Sequence, residues 1–439
     1  MAPARGLVLA APSSASGKST LTVGLLRALS DLCTARGAKC GPDYIDPMFH
    51  RLACGAASVN LDPWAMPPAE LSALAAAQAA AADQMIVEGV MGLFDGAAGG
   101  GGSTADLAAA LGLPVVLVID VSHQAQSVAA LVQGFSAFRE DVRVAGVILN
   151  RVGSDRHRAL IEAALAPVGI PVLGAVPRRP DLALPSRHLG LVPAAEIDGV
   201  AETVDALGRL VSAHVDLDAL RALSVALPVA GAAPVLLPPP GQRIAVACDI
   251  AFCFAYPHLL QGWQRAGAEL VPFSPLADEA PAADADAVFL PGGYPELHGG
   301  ALAAAGRFRD GLRAAADRGA LIYGECGGYM ALGEGLIDAD GHRHRMAGLL
   351  PVETSFRERR LHLGYRELWP RAGSPWTAPL RAHEFHYATV ATEGAGEALF
   401  DARTADGTDL PPMGRRIGTV MGSFAHVICA GGESANRVV

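Results

Sequence analysis

No Cys-x-x-Cys pair occurs in this chain. Its seven cysteines stand apart, at 33, 40, 54, 248, 253, 326 and 429, and their number is odd. That argues against a disulfide framework or a cysteine-built zinc site and points to reduced thiols in a cytoplasm. A basic surplus is missing too: 34 Lys and Arg face 44 Asp and Glu, a formal net charge of −10. A nucleic-acid binder more often carries a basic surplus or stripe, so no nucleic-acid partner is expected. An anionic substrate must then be recruited by local Arg, Lys or metal ions. No apolar run reaches the length of a membrane span, and the apolar part of MAPARGLVLAAPSS is too short for a signal-peptide core. The Ala-rich stretch 68–82 is interrupted or bounded by Glu70, Gln78 and Asp83 and reads as a helix. No short fixed-period repeat is present.

What is there is a globular composition, 51% hydrophobic and 18% charged, in 439 residues. That length implies two or three domains. In the first half GLVLAA (6–11), QMIVEGV (84–90), PVVLVID (114–120), RVAGVILN (143–150) and PVLGAVP (171–177) read as strands covered on both faces. A helix from about Lys18 carries Leu21, Leu25, Leu29 and Leu32 at helical spacing. PVAGAAPVLLPPPGQ (228–242) reads as a stiff linker. Alternation then restarts with RIAVACD, ELVPF, DAVFLPGG and ALIYGECGG. The expectation is α/β with two doubly wound domains, at 1–227 and 243–439, joined by 228–242.

After the first strand comes APSSASGKST (11–20). Its tail, Gly17, Lys18 and Ser19 with Thr20, is that of a P-loop, where N–H groups at a helix start surround phosphate oxygens. Lys18 reaches the β- and γ-phosphates in such a loop, and the Ser19 hydroxyl ligates Mg²⁺. The usual first glycine is replaced by Pro12. In the dethiobiotin synthetase-like branch that glycine sits one residue earlier, here Ala11. The plain alternative is a Ser/Gly loop capping a helix; its place between strand and amphipathic helix favours the nucleotide. Glu88 closes a strand where an acid can hold Mg²⁺ or its water. Asn150 closes another, where related enzymes read a base. Asn-Arg-Val is not the guanine-reading Asn-Lys-x-Asp, so ATP is expected. GPDYIDPMFH (41–50) lies in the zone where acids meet Mg²⁺ and the γ-phosphate. Asp43 and Asp46 are expected to face the phosphoryl group, its metal or the substrate, with Pro42 and Pro47 stiffening the loop.

The second half carries a nucleophile. Cys326, in YGECGGYM, follows a strand and precedes a helix, a turn that lifts a side chain out of the sheet. A helix N-terminus is expected to lower the thiol pKa. Gly292 and Gly293 of LPGGYPE, with the N–H of Gly327, are candidates for an oxyanion hole. His426 of GSFAHV offers a base. In the triad-type glutamine amidotransferases, which this resembles, a Glu stands two residues after the His. Here that position is Ile428, so only a Cys–His pair is assigned. RAHEFHYA (381–388) reads as a strand with His383 and Phe385 on one side, Glu384 and His386 on the other.

SASGKST, GPDYIDPMFH, VEGVMGLFDG, GVILNRVGSDRH, PGGYPE, YGECGGYM, GYRE, HEFHY and GSFAH run in this order. Together they resemble the cobyrinic acid a,c-diamide synthase family, which includes the hydrogenobyrinic acid a,c-diamide synthases. The resemblance implies ATP-dependent amidation of the a and c acetates of a corrinoid polycarboxylate, with glutamine as nitrogen donor, Mg²⁺ as cofactor and a protected path for ammonia. It draws Tyr44, Arg187 and His188 toward the corrinoid, with Arg51 and Arg151 as further carboxylate contacts. Whether the ring holds cobalt is left open, with resemblance leaning to hydrogenobyrinate. A homodimer is expected on base rates alone. The rivals are a cobyric acid synthase-like amidation of other side chains, and a regulatory P-loop ATPase with an inert amidotransferase-like tail.

Overall fold

A computed structural model describes residues 3–182, 184–187, 190–228 and 231–431, with backbone alone at 186–187 and 190–191. The chain divides into two compact units, Met1–Pro234 and Val235–Val439.

The first unit is built on seven parallel strands: β1 (Arg5–Ala10), β2 (Ala35–Cys40), β3 (Val59–Leu61), β4 (Gln84–Glu88), β5 (Val115–Asp120), β6 (Val144–Val152) and β7 (Val172–Pro177). Their order is β3-β2-β4-β1-β5-β6-β7, and a short antiparallel strand, Val225–Ala226, pairs with the start of β1. Helix α1 (Lys18–Ser30) buries Leu21, Leu25, Leu26 and Leu29. Each such leucine contributes about 1.5–3 kcal/mol of transfer free energy. Because the seven strands are parallel, the loops after β1, β2, β4 and β6 open at one edge of the sheet, where ligands bind in this architecture. Parallel register sets Lys39 of β2 opposite Glu88 of β4. Neither β2 nor β3 was expected from the sequence. ARGAKC carries Arg and Lys among small residues, and only its burial between neighbouring strands makes it a strand.

The second unit has a parallel sheet in the order Glu269–Phe273, Arg243–Ala247, Ala287–Leu290, Leu321–Glu325, Val420–Ser423, with Arg415–Ile417 antiparallel at the edge. Its core includes Phe252, Phe273, Phe308, Leu312 and Ile322. The unit is less uniformly doubly wound than expected. Much of 335–430 forms two further sheets, antiparallel except where Gly335–Ile337 runs parallel to Val352–Ser355. In one of them Leu380–His386 lies between His362–Pro370 and Ala425–Ala430, and the register pairs His383 with His426. Part of the Pro-rich stretch belongs to this unit: Leu236 and Leu237 are buried, and Pro238 O accepts from Trp376 Nε1 at 2.9 Å. Among the described residues no helix is long and apolar enough to cross a membrane.

Candidate functional sites

In the first unit the loop after β1 is closed by two left-handed residues, Ala15 at φ 64° and Gly17 at φ 85°. A Cβ on Gly17 would stand 2.2 Å from Asn150 Nδ2, so the position takes no other residue without displacing Asn150. Asn150 reaches from the end of β6 and donates to Ser16 O at 2.9 Å, while its Oδ1 accepts from Arg151 N at 3.0 Å. Lys18 Nζ donates to Met91 O at 3.0 Å. Burial, and then the charge of Lys39, lowers its pKa to about 8.

Beneath the loop lies a charged cluster. Ser19 Oγ donates to Glu88 Oε1 at 2.6 Å and lies 3.2 Å from Asp46 Oδ2. Lys39 Nζ, buried with them, is 2.5 Å from Asp46 Oδ2, 3.0 Å from Glu88 Oε1 and 3.7 Å from Asp43 Oδ2. His50 Nε2 lies 2.8 Å from the other oxygen of Glu88, and its Nδ1 lies 3.0 Å from Ser58 Oγ. Burial pulls the Lys39 ammonium toward neutrality, but Asp46, Glu88 and Asp43 hold its pKa well above the ordinary value. Glu88 is likewise held well below the carboxylate range, because Lys39 and His50 outweigh burial. Burial and the charges of Asp43 and Glu88 push Asp46 well above it.

The two aspartates of GPDYIDP therefore differ. Asp43 is half-open; its Oδ1 accepts from Ile45 N at 2.8 Å and Asp46 N at 3.0 Å, satisfying amides that α2 (Asp46–Cys54) leaves unpaired at its start. Asp46 is buried and points at Ser19 and Lys39. Pro47 occupies the first turn of α2, where its missing N–H costs nothing.

In the second unit Cys326 follows Leu321–Glu325 and caps the six-residue helix Gly327–Leu332 at φ 48°, ψ −106°. A non-glycine residue held there carries backbone strain, fixed by Cys326 N donating to Ser423 O at 2.8 Å. Gly292 explains how Cys326 and His426 meet. A Cβ on it would stand 2.3 Å from His426 Cε1, 3.1 Å from Nε2 and 3.3 Å from Cys326 Cβ. Only a glycine leaves room for both side chains around that point. A Cβ on Gly327 would stand 3.0 Å from Gly293 N, which puts Gly293 beside the start of the helix. The expected lowering of the thiol pKa is not found in the resting site. Burial first, and the charge of Glu296 next, pushes the Cys326 thiol up. Six residues of helix do not offset that desolvation. Burial, followed by His383 and His386, lowers His426 to about 3.

Next to this pair Glu384 accepts from Arg366 Nε at 2.8 Å and lies 2.9 Å from His386 Nε2. It is held down to about 2: burial pushes it up, but His386 and Arg366 outweigh that. The alternating faces expected of HEFHY appear as two ring pairs, Tyr365 with His383 and His362 with His386.

Of the other expected residues, Thr20 stands in the first turn of α1. Tyr44 is 8% exposed. Arg51 points to solvent, and Arg151 pairs with Asp120. The side chain of Arg187 and the whole of His188 lie outside the described residues. Sequence reasoning missed Lys39, His50 and Glu325. A lysine two residues before GPD, among small residues, was the available signal for Lys39. A carboxylate directly before Cys326 was the signal for Glu325.

Residues 7–192 match the family described as the CobQ/CobB/MinD/ParA nucleotide binding domain, and residues 243–434 that of the CobB/CobQ-like glutamine amidotransferase domain. Three proteins named hydrogenobyrinate a,c-diamide synthase are similar over nearly the whole chain. That of Brucella suis biovar 1 (strain 1330) is 56% identical over 98% of this chain and 100% of its own. That of Sinorhizobium sp. is 54% identical over 98% and 100%. That of Mesorhizobium japonicum is 52% identical over 97% and 98%.

Proposed function

Since the chain belongs to the hydrogenobyrinate a,c-diamide synthase family, we propose that it amidates the a and c acetates of hydrogenobyrinate with ATP and glutamine, in the cytoplasm. The observation that supports this best is that one chain carries both halves of the chemistry. A phosphate loop stands over Ser19, Asp46 and Glu88, and a cysteine and histidine share the space that Gly292 leaves.

In the second unit the thiol proton of Cys326 passes to His426 and sulfur attacks the glutamine amide carbon. The imidazolium returns the proton to the leaving nitrogen, ammonia departs, and water hydrolyses the thioester to glutamate. The amides of Gly293 and Gly327 face the oxyanion in this reading. In the first unit the substrate carboxylate takes the γ-phosphoryl group, and ammonia then displaces phosphate from the acyl phosphate. Lys18 binds the β- and γ-phosphates, with Thr20 behind it and Asn150 bracing the loop. The oxygens of Ser19, Asp46 and Glu88 fit Mg²⁺, a hard cation that prefers oxygen donors. The carboxylates of Asp46 and Glu88 already converge on one cation, the Lys39 ammonium. When bound, Mg²⁺ neutralises charge on the transferring phosphoryl group. Asp43 and Tyr44, with Arg187 and His188, take the corrinoid side.

Mass spectrometry of products from hydrogenobyrinate and from cobyrinate, each with ATP, Mg²⁺ and glutamine, tests the proposal. The expected product is the diamide of hydrogenobyrinate. Higher amides from a pre-formed diamide would favour cobyric acid synthase-like chemistry. ATP turnover without glutamine hydrolysis or amidation would overturn the reading.

A further inference from the structure

The position that carries the triad carboxylate in related amidotransferases is Ile428, yet a carboxylate reaches the same histidine from elsewhere. Glu325, the residue directly before the nucleophile, is 3% exposed at the tip of Leu321–Glu325. Its Oε1 accepts from Val427 N at 3.0 Å. Its Oε2 lies 3.8 Å from His426 Nδ1. The imidazole edge with Cε1 and Nε2 is the one that Gly292 leaves beside Cys326. His426 is thus held between sulfur on one nitrogen's side and a buried carboxyl on the other's. The nearest rival carboxylate, Glu384, is engaged by Arg366 and His386. We propose that Glu325 is the third member of the glutaminase site, orienting His426 and balancing its charge as it takes the thiol proton.

The separation is too long for a hydrogen bond and right for an ion pair that closes when the imidazolium forms, since such contacts tighten in the reacting complex. The step balances. The proton leaves Cys326 Sγ for His426 Nε2, and Nδ1–H then points at an ionised Glu325; when the leaving nitrogen takes the proton, imidazolium and oxyanion discharge together and Glu325 stays a carboxylate. Glu325 touches no substrate atom and is a positioning residue. Burial pushes its carboxyl up to about 8, with Tyr323 and the Val427 amide beside it. It must lose that proton before the imidazolium forms. Glutaminase activity should therefore rise as pH increases through that range. The other charged groups around the pair are His383, His386 and Glu384 near His426, and Glu296 near Cys326.

This rests on the reading of Cys326 and His426 as a glutaminase, and the experiment separates the two. Steady-state glutamine hydrolysis by wild type and Glu325→Gln is compared from pH 6 to 9, with amidation from ammonium salts measured alongside. Gln keeps the size of the side chain and an oxygen for Val427 N. The expected result is a fall in kcat of about 10²–10⁴-fold, loss of the alkaline-rising limb, little change in KM, and ammonium-driven amidation intact. Hydrolysis within twofold of wild type, with the same pH profile, overturns the proposal. A wild type that hydrolyses no glutamine overturns the underlying reading instead. Should the variant fail to fold, ¹⁵N-histidine NMR of wild type alkylated at Cys326 by a glutamine analogue reads the same contact. A strongly downfield His426 Nδ1–H supports the proposal, and an ordinary neutral imidazole throughout that pH range overturns it.

Discussion

The two sites solve burial in opposite ways. In the first unit Lys39 and Glu88 are buried as charged groups, each compensated by the other and by His50 and Ser19, while burial and its acidic neighbours push Asp46 beside them toward its neutral form. In the second unit Cys326, His426 and Glu325 are equally buried, and burial drives each toward its neutral form. The first arrangement resembles an ion-binding site holding a surrogate ion. In the proposed mechanism the second is a nucleophile at rest, its imidazolium forming only when substrate arrives. Desolvation acts on both, so the difference lies in the partners: a lysine at bonding distance in one, a histidine and a thiol in the other.

Cys326→Ser should break the comparison most completely. Glutamine hydrolysis should fall by more than about 10³-fold, because a serine hydroxyl in this neutral pocket has no thiolate to offer. Amidation from ammonium salts should persist, as the charged cluster is untouched. Unchanged glutamine hydrolysis would remove Cys326 from the chemistry.

Lys39→Met attacks the other site. It leaves Glu88 and Asp46 buried without their cation, which costs about 3–5 kcal/mol when one partner of a buried pair is lost. Mg²⁺ should recover part of that loss by binding the same oxygens, so the rise in Tm with Mg²⁺ should be larger in the variant than in wild type. Equal Mg²⁺ shifts in the two proteins would show that the ion binds elsewhere.

Asp43→Asn and Asp46→Asn sharpen the contrast within one loop. The Asp43→Asn change keeps an oxygen for the Ile45 and Asp46 amides, so its effect should be on rate and not on folding. Amidation should fall by roughly ten- to a hundred-fold in each, more for the buried Asp46, with glutamine hydrolysis largely intact. Joint loss of both activities would point to a folding role.

How far these sites could be read from the sequence depended on how local their determinants are. SGKST and ECGGYM announce themselves because a phosphate loop and a nucleophile turn are contiguous backbone shapes. The strands with unbroken Val, Ile and Leu were equally legible, though their ends shifted by one or two residues. β2 was invisible because its strand character comes from position between β3 and β4 and not from its residues. With it went Lys39, whose partners are seven and forty-nine positions away. Glu325 was hidden for a related reason. It was sought at a fixed offset from His426, whereas the fold delivers it from another strand, 102 positions from the Val427 amide it accepts.

The smallest effect concerns stability and pH, and within the second site it separates Glu325 from His426 by sign. Glu325 is held up to about 8 against an ordinary 4.5. Between those values the unfolded chain has released a proton that the native one keeps, so stability falls as pH rises. His426 is held down to about 3 against an ordinary 6.5. Between those values the unfolded chain binds a proton that the native one refuses, so stability falls as pH falls. From 4.5 to 6.5 the two slopes oppose and cancel, at about 1.36 kcal/mol per pH unit each. Above 6.5 only Glu325 acts, and the native state should lose about 2 kcal/mol by pH 8. Linkage counts protons, so the result is the same if the pair shares its proton as carboxylate and imidazolium. Glu325→Gln removes one slope. The difference in unfolding free energy between wild type and variant should therefore be flat below about pH 4.5 and turn in favour of the variant as pH rises toward 8. Subtraction cancels the titrations of the charged cluster, which both proteins share. A difference that does not change between pH 5 and 8 would mean that Glu325 is ionised in the resting site, and the second site would then be less unlike the first than its burial implies.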